Sequence, residues 1–175
     1  MSKIMIPNAR LSFPSLFRRG SFNGEETKFE ATFLLDKEKH AHKIDQIKKH
    51  IAAGIKDNLK GAKLAADKIC LRDGDLTDYD GYEGCMTLKA SNGKRPTIVD
   101  ADKSPLTEDD GRPYGGCYVN AIVELWFQNN AYGKRVNATL LGVQFAGHGE
   151  PFGAGGATAS ADDFDEVSLD EESFI

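Results

Sequence analysis

The sequence has no apolar run near the roughly 18 residues of a helical membrane span, which excludes an anchor of that kind. Cysteine is scarce: Cys70, Cys85 and Cys117 are odd in number and far apart, which excludes a disulfide framework and a paired-cysteine zinc site. There is no GxSxG, no P-loop and no GxGxxG, so the common nucleophile and nucleotide signatures are missing. His40, His42, His50 and His148 form no ligand set, and His40 and His42 lie two apart, on different faces of a helix. The opening MSKIMIPNARLSF alternates like a strand and lacks a signal-peptide core, so a cytoplasmic location is expected. These absences point away from an enzyme and from any metal or cofactor requirement.

Charge is divided unevenly along the chain. Residues 150–175 carry eight acids and no Lys or Arg. Removing those eight from the 27 acids of the chain leaves 19 against 22 Lys and Arg, so the body is mildly basic and the end strongly acidic. A polyanion partner is therefore compatible with the body despite a net charge of −5. The segment PFGAGGATASA reads as a linker, and the following acidic stretch reads as disordered, giving a domain over 1–149 and an appendage over 150–175.

The clearest structural signal is YGGCYVNAIVELWFQNNAYGKRVNATLLGVQF, Tyr114 to Phe145. Two runs rich in β-branched and aromatic residues flank an Asn- and Gly-bearing connection, the pattern of a hairpin. Val119, Ala121, Val123, Leu125 and Phe127 alternate toward the core, which puts Trp126 on the other face. Ile4 to Phe13 predicts a first strand bulged at Pro7, and Lys28 to Leu35 a second. Ile44, Ile47, Ile51, Ile55 and Leu59 make a helical stripe behind Asp36, the expected N-cap. Cys85 to Ala90 and Thr97 to Val99 complete about five strands. The fold class expected is mainly β, an OB-like barrel with a helical insertion and a disordered C-terminal tail.

Asp73, Asp75, Asp78 and Asp80 do not satisfy a calcium-loop pattern, because Thr77 and Asp78 stand where an acid or amide and a Gly are needed. A two-metal nuclease built on those acids is the alternative enzyme reading, and a structural or protein-interaction module is the other alternative. What recurs instead is aromatic residues beside cations. Phe17, Tyr82, Tyr114 and Trp126 are the candidate stacking faces. Arg18, Arg19, Lys89, Lys94, Arg95, Lys134 and Arg135 are the candidate phosphate contacts. Single-strand binders use this combination, since every base offers a π-face and every nucleotide a charge. In the tail, Asp162, Asp163, Asp165, Glu166, Asp170, Glu171, Glu172 and Phe174 suit mimicry of DNA or docking to a partner protein.

Three stretches, ARLSFPSLF, RPTIVDAD and the hairpin block, together with the tail ending DEESFI, carry a resemblance that spans essentially the whole chain. It resembles the single-stranded-DNA-binding proteins of tailed, particularly enterobacterial, phages. That resemblance implies an OB fold, sequence-independent coating of single strands in phage replication and recombination, and a tail that recruits phage or host replication proteins in the bacterial cytoplasm. The helical insertion after the second strand departs from the simplest OB order, where a helix follows the third.

Overall fold

The computed structural model describes residues 3–152, 161 and 164–168. Nine strands occur in that range: β1 (Lys3–Ser15), β2 (Ser21–Phe22), β3 (Glu25–Glu26), β4 (Phe29–Asp36), β5 (Leu71–Asp73), β6 (Cys85–Asn92), β7 (Thr97–Val99), β8 (Tyr118–Asn130) and β9 (Gly133–Gly147). One long helix, α1 (Ala41–Asn58), joins β4 to the segment before β5.

Five strands close into a barrel in the order β1-β4-β6-β9-β8 and back to β1. Closure comes from a parallel contact, Ser91 to Thr139, while the other barrel pairings are antiparallel. This is the expected OB-like barrel, with its helix between the second and third barrel strands. The short β5 adds to β6 and β7 adds to β9. With three residues, β5 is too short to show a period in the sequence.

Alternation produces the core. Ala31, Phe33 and Leu35 point inward from β4, and Val119, Ala121, Val123 and Leu125 from β8, all buried. Each such large side chain stabilises the fold by about 1.5–3 kcal/mol on burial. The hairpin is longer than its apolar runs, pairing out to Asn130–Gly133 and leaving only Ala131 and Tyr132 as its loop. Gly133 has φ 109°, a conformation few residues other than glycine adopt. The bulge expected at Pro7 is present, as the β1–β8 register shifts between Ile6 and Ala9.

The helix buries Ile44, Ile47 and Ile51 on the expected stripe. Asp36 does not cap it. Its Oδ1 accepts from the Glu38 and Lys39 backbone N–H groups, both at 2.9 Å, and so holds the turn before the helix. Those two bonds pull its carboxyl below the usual aspartate range. The N-cap is His40. Its Nδ1 accepts from the Asp36 N–H at 3.1 Å, which leaves Nε2–H to donate to the Pro7 carbonyl at 2.8 Å.

Gly54 is where the helix meets the barrel. A Cβ there would fall 1.8 Å from the Phe127 ring. Gly54→Ala should therefore destabilise the protein by about 1–3 kcal/mol in denaturant melts, although alanine is the better helix former by about 1 kcal/mol. A gain in stability would contradict this packing.

Candidate nucleic-acid interface

Outward-facing residues of β4 and β6 form the floor of an open groove. Thr32 pairs with Lys89, and Glu30 with Ser91. Thr87 is set beside them, and Arg72 of β5 lies opposite Thr87 in the β5–β6 register.

One wall is aromatic. The β1–β4 register breaks between Ser12 and Ser15, and Phe13 within that break has φ 46°. A left-handed backbone costs a residue other than glycine about 1–2 kcal/mol, and such outliers concentrate at functional sites. Here it turns the Phe13 ring outward, 60% exposed. Tyr79 meets it edge-on at 5.1 Å, itself 55% exposed. Tyr82, the expected stacking face, is only 5% exposed, with its hydroxyl 2.8 Å from Ser12 Oγ. Burial raises its phenol pKa. Tyr82 is thus corrected from a platform to a support, its ring centroid 5.2 Å behind that of Tyr79.

The other end is cationic. Arg72 donates from Nε to the Ile69 carbonyl at 2.9 Å and from a terminal nitrogen to the Asp67 carbonyl at 2.8 Å. Arg135 donates to the same Asp67 carbonyl at 3.2 Å. Main-chain oxygens therefore aim both guanidiniums without neutralising them, and among the described residues neither has a carboxylate within ion-pair distance. Lys89 reaches Glu30 only at 3.8 Å. Cations held by neutral partners keep their charge for phosphates.

Beyond Arg135 the outer surface continues onto β8. Trp126 pairs with Asn137, and Gln128 with Arg135; Asn137 also donates to Gln128 Oε1 at 3.0 Å. Trp126 is 46% exposed beside α1. From Phe13 to Trp126 the path crosses β1, β4, β6, β9 and β8, four strand spacings or about 19 Å.

Of the other expected residues, four form a second cluster where the β1–β4 loop meets the β6–β7 turn. Arg95 lies over the Phe17 ring at 5.3 Å, and Arg19 over the Phe29 ring at 5.2 Å. Arg19 also donates to the Gly93 carbonyl, next to exposed Lys94. Phe29 pairs with Asn92, one step along from Glu30 and Ser91, so this cluster borders the groove. Arg18 is drawn aside to Glu108 at 2.9 Å. Lys134 donates to the Leu59 carbonyl at the end of α1. Tyr114 is half-buried, its hydroxyl 2.9 Å from His148 Nδ1 and accepting from the Gly149 N–H at 3.2 Å, so it pins that segment.

The acidic loop has a structural use. Lys37 Nζ lies 2.7 Å from Asp73 and 2.6 Å from Asp75, and Asp75 also accepts from the Gly84 N–H. The Lys37 bonds chiefly hold both carboxyls below the usual range. Both acids are thereby engaged in closing the loop that carries Tyr79. Burial pushes the Cys70 thiol up to about 11 and raises Cys117 as well, so neither is a thiolate at neutral pH. In the tail, Asp165 and Glu166 are exposed, whereas Asp162, Asp163, Asp170, Glu171, Glu172 and Phe174 lie outside the described residues.

The comparisons with known proteins cover nearly the whole chain. Residues 2–174 match the family model described as Enterobacter phage Enc34, ssDNA-binding protein. The chain is 45% identical to putative protein p50 of Acyrthosiphon pisum secondary endosymbiont phage 1, over 97% of this chain and 96% of that one. The single-stranded DNA-binding protein from bacteriophage Enc34, solved in complex with ssDNA, superposes with a TM-score of 0.79 at 33% identity, covering 86% of this chain and 89% of that one. A single-stranded DNA-binding protein of bacteriophage T7 has a TM-score of 0.53 at 14% identity, covering 95% and 99%, a likeness of fold alone.

Proposed function

We propose that this chain, which belongs to the Enterobacter phage Enc34 ssDNA-binding protein family, binds single-stranded DNA without sequence preference across its β4–β6 groove. The role is non-enzymatic: the protein coats single strands during phage replication and recombination. The observation that carries the reading is the groove itself, with a strained, outward Phe13 on Tyr79 at one end and two carbonyl-held guanidiniums at the other. Bases stack on the first and phosphates meet the second. A span of about 19 Å suits the low end of the 4–16 nucleotides that OB folds occupy.

The test is Trp126 fluorescence during titration of the full chain with an oligonucleotide at several salt concentrations. Quenching by single strand, weak response to duplex and loss with salt are expected. Equal affinity for duplex would refute the single-strand reading.

The acidic tail competes with DNA for the groove and recruits replication proteins through its apolar end. Charge supports this, since the acids of residues 150–175 belong to a chain whose groove arginines, Arg72 and Arg135, lack carboxylate partners among the described residues. Deleting Asp162 to Ile175 should tighten single-strand binding severalfold at low salt, with the gain vanishing at high salt. Equal affinities of the two forms at low salt would exclude competition.

A further inference from the structure

The aromatic wall of the groove is held from behind by a segment that the sequence places at the start of the tail. Three contacts fasten it. Arg10 donates from Nε to the Gly116 carbonyl at 3.1 Å and from a terminal nitrogen to the Glu150 carbonyl at 2.7 Å. Its guanidinium carbon stands 4.0 Å from the Phe152 ring centroid. Phe152 N–H donates to the Gly115 carbonyl at 3.0 Å. The fit leaves no room, as a Cβ on Gly116 would fall 2.2 Å from the Glu150 carbonyl oxygen.

The Phe152 ring is seated on Gly81, where a Cβ would come within 2.5 Å of it. Gly81 has φ 84° and lies between Tyr79 and Tyr82, in the loop that Asp75 closes at Gly84. Asp75 holds that loop at its base and the Tyr82 hydroxyl holds it to Ser12, while Phe152 alone of the three bears on Gly81 itself. Remove Phe152 and the Gly81 turn loses that backing, which loosens Tyr79 against the Phe13 ring.

We infer that Phe152 and Arg10 are positioning residues for DNA binding: they clamp the Gly81 loop so that Tyr79 stands ready to stack. The body of the binding domain then runs through Phe152, and the tail begins after it. This inference rests on the groove reading above. A cation–π pair suits the task because it joins the strap to β1 through a planar group already fixed by two carbonyls.

A double-mutant cycle on the full chain tests it, read by affinity for oligothymidylate. Phe152→Ala should weaken binding about fivefold, and Phe152→Tyr should restore it. In a Tyr79→Ala background the further change to Phe152→Ala should have no effect, because the residue acts through Tyr79. Paired with Lys89→Ala, the two effects should multiply. A merely structural role would give the same loss in every background, and that result would overturn the inference, as would wild-type affinity for Phe152→Ala. If the parent chain binds no oligothymidylate, the groove reading itself fails, which is a separate outcome.

Discussion

Replacing Arg72, Lys89 and Arg135 together by alanine should lower single-strand affinity several hundredfold at low salt and flatten its salt dependence. Each phosphate contact on a single strand contributes about −0.7 to the slope of log K against log salt, so three contribute about −2. Between a molar reference and about 50 mM that is roughly 2.7 log units. The premise is that the three charges are available. Arg72 and Arg135 are held by carbonyls, and Lys89 is 3.8 Å from Glu30 and exposed. As a control, Lys37→Ala should leave the slope alone, because its charge is spent on Asp73 and Asp75. An unchanged slope in the triple variant would remove these residues from the phosphate path.

Phe13→Gly should separate binding from stability. Losing a base stack costs about 1–3 kcal/mol, so affinity should fall by roughly fivefold or more. Glycine accepts φ 46° without strain, which returns about 1–2 kcal/mol and offsets the lost ring contact with Tyr79. The denaturant midpoint should therefore move little. Phe13→Ala keeps the strain and loses the ring, so it should be less stable than Phe13→Gly while binding equally poorly. Equal stability of the two variants would mean that the left-handed backbone stores no strain.

Much of the barrel was legible because its long strands bury one face. Val119 to Leu125 and Phe29 to Leu35 alternate over enough residues for the period of two to show, and the Ile44–Ile51 stripe shows the helical period equally well. Lys89 and Arg135 were legible as cations at strand positions, and the structure places both in the groove. Arg72 was not, since β5 has three residues and a single buried Leu71 to give its phase. The exchange of Tyr82 for Tyr79 is subtler. Both lie in one polar loop, and the partner that the buried ring finds, the Ser12 hydroxyl, is far away in sequence. Phe13 sits at a core-like place in the alternation of β1, and a register break that no composition announces turns it out. Asp36 failed as an N-cap for a related reason: its side chain found nearer donors at Glu38 and Lys39.

The most direct test of the groove is ultraviolet cross-linking of oligothymidylate to the full chain, followed by peptide mapping. Exposure alone does not decide the outcome, because Phe22 and Tyr132 are 72% and 91% exposed, more than any aromatic of the groove. The groove should yield adducts on Phe13, Tyr79 and Trp126, with Phe22 and Tyr132 unmodified. Adducts on Phe22 and Tyr132, or on Met5 and Tyr118 of the barrel's exposed remainder, with none on Phe13 and Tyr79, would contradict it.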